Sequence, residues 1–296
     1  MTPARPLRIA MTADLHYGTR HTAGNRATHQ LVAELRETPP DVILLGGDIG
    51  AGEDFERCLA LFDGIDCVKA LVPGNHDVWV RSSDARGDSR AVYEEYLPRV
   101  SREHGFHFLD NGPLELPDSD LAVVGTMNWY DYTWDIDLLK QAAPDWEERL
   151  RSKRFTRGMH NDANFVKWDW TDVAFTTFVY ANLKTHLEAA LAKFSHSLVL
   201  AHHPPLHGLL YPAREPPPLD ALLWRAFSGN TRVENLLTAH AARIPAVWCG
   251  HTHTARQCQV GPMRGYNIGG DYHFKRLHVF EWPSGSVTET EFLGEA

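Results

Sequence analysis

Cysteine is scarce in this chain, and its placement excludes two common uses of the residue. Only four cysteines occur in 296 residues, and none of them forms a Cys-x-x-Cys pair. The chain is also longer than the small domains that disulfides normally hold together. We therefore expect neither a disulfide framework nor a thiolate-bound structural zinc. The cysteines should be reduced and mostly in the core: Cys58, Cys67, Cys249 and Cys258.

The chain also lacks an excess of positive charge and any long hydrophobic run. There are 29 lysines and arginines against 38 aspartates and glutamates, and the net charge of −9 argues against general binding to nucleic acid or anionic membranes. No segment approaches a membrane span, and the apolar run at 7–11 is shorter than the core of a signal peptide. We predict a cytoplasmic protein without a membrane partner. The sequence leaves its oligomeric state open.

Strands and helices alternate along most of the chain. Apolar runs predict strands at 7–12, 42–45, 68–72, 106–108, 121–124, 197–201, 246–249, 266–268 and 276–281, the last two antiparallel in appearance. Helical spacing predicts helices at 25–37, 55–62, 91–103 and 172–193, and two more within 220–242. Strand–helix–strand alternation with continuously apolar strands predicts an α/β fold with a mainly parallel sheet covered by helices.

The alternation is interrupted between residues 128 and 170, where no clean strand is found. We predict that this segment is an aromatic and basic elaboration over one edge of a single domain spanning 1–296. Its aromatic residues either form a wall for a base or sugar or pack the segment onto the core: Trp129, Tyr130, Tyr132, Trp134, Trp168 and Trp170. The basic cluster at 149–157 is more typical of a solvated helix face than of a phosphate or nucleic-acid site.

Five apolar runs end in polar groups that a hydrophobic core does not accept. These groups are Asp14 and His16, then Asp48, then Asn75, His76 and Asp77, then His202 and His203, and finally His251 and His253. Because ligands bind outside the carboxyl ends of strands in open α/β sheets, we expect the groups to converge. In an extended backbone each i, i+2 pair projects to one face and could grip one centre or two adjacent ones. Nitrogen and oxygen ligands without thiolate suit Mn, Fe, Zn or Co.

Read in order, these strand ends resemble the calcineurin-like metallophosphoesterase family. The motifs are D-x-H at 14–16, G-D at 47–48, G-N-H-D at 74–77, H at 202 and G-H-x-H at 250–253. The resemblance implies a four-layer α/β/β/α sandwich of two facing mixed sheets, whereas the alternation alone also allows one doubly wound sheet. It further implies two divalent metal ions and hydrolysis of a phosphoester by a metal-bound hydroxide.

The resemblance also assigns roles to individual residues. Asp14, His16 and His253 would bind the first metal, Asn75, His202 and His251 the second, and Asp48 would bridge the two. His76 would contact the phosphate and protonate the leaving oxygen. Asp77 would either orient His76 or cap a helix after the motif. Strand alternation allows only one of His202 and His203 to face the metals, and the family pattern favours His202.

Substrate contacts are expected from loops near these strand ends. The candidates are His203, His207, His160 and Trp129. The loop that begins at His202, with a single G-H-T-H motif, resembles the bacterial cyclic-nucleotide and glycerophosphodiester branch of the family. This favours a small phosphodiester, or a phosphomonoester, over a protein phosphate. The alternatives are a catalytically silent protein-interaction scaffold, which the complete motif set disfavours, and a nuclease, which the acidic charge disfavours.

Overall fold

The apolar runs of the sequence form the central strands of two six-stranded sheets. A computed structural model describes residues 5–18, 22–116 and 119–295. Within those ranges the strands are β1 Leu7–Thr12, β2 Val42–Gly46, β3 Val68–Val72, β4 Phe106–Phe108, β5 Leu114–Glu115, β6 Leu121–Thr126, β7 His196–Ala201, β8 Ala246–Cys249, β9 Arg256–Val260, β10 Met263–Asn267, β11 Lys275–Trp282 and β12 Ser286–Phe292.

The strand order within each sheet places the predicted buried strands at the centre. The first sheet has the order β12-β11-β1-β2-β3-β4, and the second has the order β5-β6-β7-β8-β10-β9. Strands β1 to β4 run parallel to one another, as do β6, β7, β8 and β10. Antiparallel strands complete the edges, so both sheets are mixed. The carboxyl ends of the parallel strands therefore meet along one rim of each sheet.

Helices cover the outer face of each sheet. The helices within the described ranges are α1 Thr22–Glu37, α2 Asp54–Ala60, α3 Ser89–Ala91, α4 Leu97–Glu103, α5 Ile136–Ala142, α6 Trp146–Ser152, α7 Asp162–Phe165, α8 Asp172–Lys193, α9 Leu219–Ala226 and α10 Thr231–Ala239. A π-helical segment, Val92–Tyr96, joins α3 to α4. The helix predicted at 91–103 is thus one continuous run with a wider turn inside it.

Alternating side chains on each strand fill three separate cores. In β2, Leu44 packs between the two sheets, while Leu45 packs beneath the helices that cover the first sheet. In β7, Leu198 faces the first sheet, while Val199 packs beneath the helices that cover the second. The layers are therefore helix, sheet, sheet and helix. The predicted four-layer α/β/β/α sandwich is confirmed, and the single doubly wound sheet is excluded.

Three strands of the structure were not predicted, because their sequences carry little apolar signal. Both β9 and β12 lie at the outer edge of a sheet and are mostly exposed on both faces, so no apolar run marks them. The short β5 has only two residues. The strands predicted at 266–268 and 276–281 lie in different sheets. Strand β10 is antiparallel to β9 but parallel to β8, so its predicted orientation was only half right.

The aromatic residues of segment 128–170 pack mainly inside the protein. Trp129 and Tyr130 are completely buried, and Trp134 is 2% exposed. The Trp129 indole Nε1 donates to Asp172 at 2.8 Å. Of the two interpretations offered above, packing onto the core describes these three residues. The segment itself contains α5, α6, α7 and an isolated bridge between Arg154 and Met159.

The described residues contain neither a disulfide bond nor a helix that could span a membrane. All four cysteines are free, and Cys58 and Cys249 are buried. Within the described ranges, no helix combines the length and apolar character needed to cross a bilayer.

Candidate metal centre

The strand ends of both sheets bring seven His and Asp side chains into two adjacent clusters. We call Asp14, His16, Asp48 and His253 the first cluster, and His202, His203 and His251 the second cluster. In each cluster one potential ligand atom from every residue lies within 4.8 Å of the others. In the first, His16 Nε2 lies 2.9 Å from His253 Nε2 and 3.6 Å from Asp48 Oδ2.

Asp48 lies between the two clusters. Its Oδ2 faces His16, while its Oδ1 lies 3.4 Å from His202 Nε2. Asn75 joins the second cluster, because its Oδ1 lies 3.1 Å from the same His202 nitrogen. The two oxygens of one carboxylate thus face different clusters, which is the geometry that a bridging ligand requires.

The backbone at these strand ends is left-handed rather than extended. Positive φ angles are found at Asp14 (57°), His16 (41°), Asp48 (52°), His251 (70°) and His253 (53°). The expectation that each i, i+2 pair projects from an extended backbone was therefore wrong. Asp and His enter this region more readily than most residues, yet each still carries strain of order 1–3 kcal/mol. Five strained residues at one site indicate a function that depends on their placement.

Three glycines allow the chain to pass close to the clusters. A Cβ atom at Gly74 would lie 2.2 Å from Asp48 Oδ1, and one at Gly250 would lie 2.5 Å from Asp14 Oδ2. A Cβ at Gly47 would lie 2.5 Å from His202 Nδ1, and Gly47 also has a φ of +83°. Any side chain at these positions would displace a potential ligand, since real Cβ atoms do not approach other atoms so closely.

The Asp77 carboxylate accepts hydrogen bonds from backbone amides of the site. Its Oδ1 accepts from the amides of Ile49 and Gly50, both at 2.9 Å, and its Oδ2 accepts from the Gly74 amide at 2.8 Å. These bonds tie the turn after β2 to the turn after β3. Neither of the two expected roles, orienting His76 or capping a helix, describes these contacts.

The rings of the adjacent histidines His202 and His203 are each oriented by a hydrogen bond to a backbone carbonyl. His202 donates its Nδ1 hydrogen to the Gly46 carbonyl at 3.0 Å, and His203 donates to the Met127 carbonyl at 3.1 Å. Each ring is thereby left with a free Nε2 lone pair. His203 Nε2 is buried and has no partner among the described residues. His202 Nε2 lies within 3.4 Å of both Asp48 Oδ1 and Asn75 Oδ1, so His202 fits the centre better than His203.

Burial sets the protonation of the clusters in favour of metal binding. It lowers the pKa of His16, His202 and His251 well below the usual value, and neighbouring imidazoles add to this effect. Burial likewise raises the pKa of Asp14 to about 7. The imidazoles are thus neutral, the form that binds metals, while buried carboxylates without a cation are unfavourable. The donor set therefore fits divalent cations, which would restore the ionised form of the carboxylates.

A cavity of about 440 Å³ opens over the clusters. It is lined by Asp48, Asn75, His76, Trp79, His160, Asn161, Tyr211, Trp224, Ser228, His251, Thr252, His253 and Tyr272. The His76 ring stacks on Trp79 with 3.6 Å between ring centres, and its Nε2 lies 3.8 Å from Asp48 Oδ2. The Tyr272 ring stacks on His16 at 4.1 Å.

The structure brings one of the four expected substrate contacts to this cavity. His160 lines it. His203 and Trp129 are completely buried and do not line the cavity. His207 pairs with Asp135 at 3.3 Å and does not line the cavity. His203 instead belongs to the second cluster, and Trp129 packs inside the protein.

Lys275 and Tyr272 belong to the site but lie outside the sequence motifs. Lys275 is completely buried and donates to the backbone carbonyls of Asp14 and Asp271, the first at 3.0 Å. Tyr272 belongs to the same turn, which follows Ile268 and two glycines. That sequence has the same pattern as the five motif strands, in which an apolar run is followed by glycine and a polar group. The pattern could have identified this turn as a sixth segment that contributes residues to the site.

The family model of the calcineurin-like phosphoesterases matches residues 7–255 of the chain. The chain therefore belongs to this family and is a metal-dependent phosphoesterase, and the resemblance inferred from the motifs is confirmed. No curated protein matches the sequence significantly.

Solved structures share the fold of this chain. The phosphopantetheinyl hydrolase of Mycobacterium tuberculosis is 20% identical with a TM-score of 0.66, and the match covers 90% of each chain. A dimetal phosphatase from Danio rerio is 13% identical with a TM-score of 0.55, and 99% of this chain aligns with 100% of that one. At such identities the similarity establishes the fold, while substrate must be argued from this chain's own residues.

Gly74→Ala should weaken metal binding. The added Cβ would lie 2.2 Å from Asp48 Oδ1 and would displace this carboxylate. We expect the Mn²⁺ affinity measured by calorimetry to fall at least about tenfold. Gly112→Ala is the control, since nothing lies within 4 Å of its Cβ position, and it should bind like the wild type. Equal affinities for Gly74→Ala and Gly112→Ala would contradict this account.

His202→Ala and His203→Ala should differ in metal content. His202 reaches both Asp48 and Asn75, so its loss should reduce bound Mn²⁺ from about two ions per chain to about one. His203→Ala should retain about two ions. Metal analysis of the purified variants after gel filtration measures this, and the reverse result would move the ligand role to His203.

Proposed function

We propose that this enzyme hydrolyses a small phosphoester, preferentially a diester, at a centre of two divalent metal ions. The observation that carries the proposal is the position of Asp48, whose two oxygens face separate clusters of potential ligands. Asp48, Asn75, His251 and His253 line one cavity, and the remaining candidates, Asp14, His16 and His202, are grouped with them, which supports catalysis over a silent scaffold.

The proposed ligand sets follow the family motifs, which include Asn75 rather than His203 with His202 and His251. Asp14, His16 and His253 would hold one ion, Asn75, His202 and His251 the other, and Asp48 would contact both. Two such ions would supply Lewis-acid activation of the phosphoryl group and of the attacking water. Nitrogen and oxygen donors without thiolate suit Mn, Fe, Zn or Co. Free cysteines throughout the chain support a reducing compartment, and we place the enzyme in the cytoplasm.

His76 is the proposed catalytic acid. Its ring lines the cavity, and its side chain is 19% exposed, so a substrate can reach it. Stacking on Trp79 holds the ring at the edge of the first cluster, 3.8 Å from Asp48. From this position the imidazole can contact a phosphoryl oxygen and protonate the leaving oxygen.

The cavity favours a substrate with a planar or apolar ester group. Trp224 is 46% exposed and Tyr211 is 55% exposed, and both line the cavity. Large aromatic surfaces left open at a binding cavity are typical of contact with a ligand. The Trp224 ring is fixed by stacking on Phe155 at 4.8 Å. We propose that one ester arm of the substrate lies against Trp224 while the phosphate lies over the clusters.

His76→Ala should lower turnover without loss of metal. A general acid contributes about 10²–10⁴-fold to rate when the leaving oxygen needs a proton, so kcat for diphenyl phosphate should fall by about that factor, and kcat for bis(p-nitrophenyl) phosphate, which has a better leaving group, should fall less. His104→Ala is the control, because His104 pairs with Asp63 near the surface and should leave kcat unchanged. An active His76→Ala enzyme would contradict the role of His76. Wild-type protein that holds two ions but hydrolyses no phosphoester would favour the scaffold instead.

Trp224→Ala should raise KM in a manner that depends on the substrate. An aromatic contact contributes about 0.5–1.5 kcal/mol, so KM for phenyl p-nitrophenyl phosphate should rise about 2- to 13-fold at nearly constant kcat. Methyl p-nitrophenyl phosphate has the same leaving group without the second ring, and its KM should hardly change. Equal changes for the two substrates would contradict the proposed contact.

A further inference from the structure

One buried carboxylate outside the motifs is bonded to two residues of the site. Asp162, in α7, is 1% exposed. Its Oδ1 accepts from Asn75 Nδ2 at 2.9 Å and from Trp79 Nε1 at 2.8 Å. Its Oδ2 accepts from the Tyr130 hydroxyl at 2.9 Å and lies 3.2 Å from His160 Nδ1. The carboxylate thus has four neighbours, and three of them line the cavity.

The bond to Asn75 fixes the orientation of its amide. A carboxylate accepts hydrogen bonds, so the amide must turn its NH₂ group toward Asp162. Its Oδ1 is then directed away from Asp162, and it lies 3.1 Å from His202 Nε2 in the second cluster. Without Asp162 the amide could rotate and present hydrogens, which cannot bind a cation, to the metal centre.

The bond to Trp79 fixes the surface on which His76 lies. The indole is held on one side by Asp162 and packs on the Phe165 ring at 5.0 Å, and both of these residues belong to α7. Its other neighbour is the His76 ring, stacked at 3.6 Å. A single side chain therefore supports both a ligand candidate and the candidate acid.

We propose that Asp162 is a positioning residue, which directs the Asn75 oxygen into the metal centre and, through Trp79, holds His76 in place. This inference rests on the proposed function. It gives the segment 128–170 a role in catalysis, because α7 carries the carboxylate while the motif loops carry the groups that it orients. Residues of this kind typically change metal affinity about 10- to 100-fold when removed.

Asp162→Ala and Asp162→Asn should behave differently. The asparagine oxygen can still accept from Asn75 and Trp79, and its NH₂ group can donate to the Tyr130 oxygen or to His160 Nδ1. Asp162→Asn should therefore keep both metal sites. Asp162→Ala removes every one of these contacts. If the alanine variant does not fold, Asp162→Ser serves instead, since its side chain is too short to reach Asn75 and Trp79 together.

Asp172→Ala is the matched control. Asp172 also receives three hydrogen bonds, from Trp129, Tyr132 and Lys153, but it has no contact with Asn75 or Trp79. Loss of the Asp172 side chain should lower the melting temperature, because its three donors would be left without an acceptor, as the donors around Asp162 are in Asp162→Ala. It should leave the metal affinities and kcat within about twofold of wild type.

The test is a Mn²⁺ titration of the metal-free proteins by calorimetry, together with kcat for bis(p-nitrophenyl) phosphate. We expect the wild type to bind two ions, and Asp162→Ala to bind one of them about 10- to 100-fold more weakly, with a lower kcat. Native affinities in Asp162→Ala would overturn the inference, and so would an equal loss in Asp172→Ala. A wild type that binds fewer than two ions would instead contradict the proposed centre itself.

Discussion

The structure depends on the burial of two carboxylates among neutral imidazoles. Asp14 and Asp48 are almost completely buried, and burial raises the pKa of both. The surrounding histidines cannot compensate, because burial also keeps them neutral. Such an arrangement is unfavourable on its own and becomes favourable when cations lie between the groups. The strained backbone and the close glycines maintain this placement, while the charge of the buried Lys275 offsets part of its cost, because it lowers the pKa of Asp14.

The sandwich supplies the rigidity that this placement requires. The parallel strands of both sheets end at one rim, so the five polar strand ends meet without long side chains reaching across space. Hydrogen bonds between neighbouring turns then fix the local geometry, as in the bond from the His16 amide to the Asp48 carbonyl at 2.7 Å. Segment 128–170 adds a second support through Asp162 and part of the cavity wall through His160 and Asn161. Core, rim and elaboration thus contribute to one site.

The sequence was informative wherever a signal is local. Apolar runs such as 42–45 identified the central strands, and the polar residues after them identified the groups that converge. The sequence contained no indication of contacts between distant residues. Asp162 accepts a hydrogen bond from Asn75, 87 positions away, and no apolar strand precedes Asp162 to mark it as a site residue. Exposed edge strands such as β12 carry no apolar run. The left-handed backbone could not be inferred from spacing. Neither could the pairing of His207 with Asp135, outside the cavity.

The central claim is that two cations share Asp48, and an anomalous difference map of crystals grown with Mn²⁺ tests it most directly. We predict two peaks, one among Asp14, His16 and His253, and one among Asn75, His202 and His251, with Asp48 between them. A map with a single peak, or with peaks away from Asp48, would contradict the account.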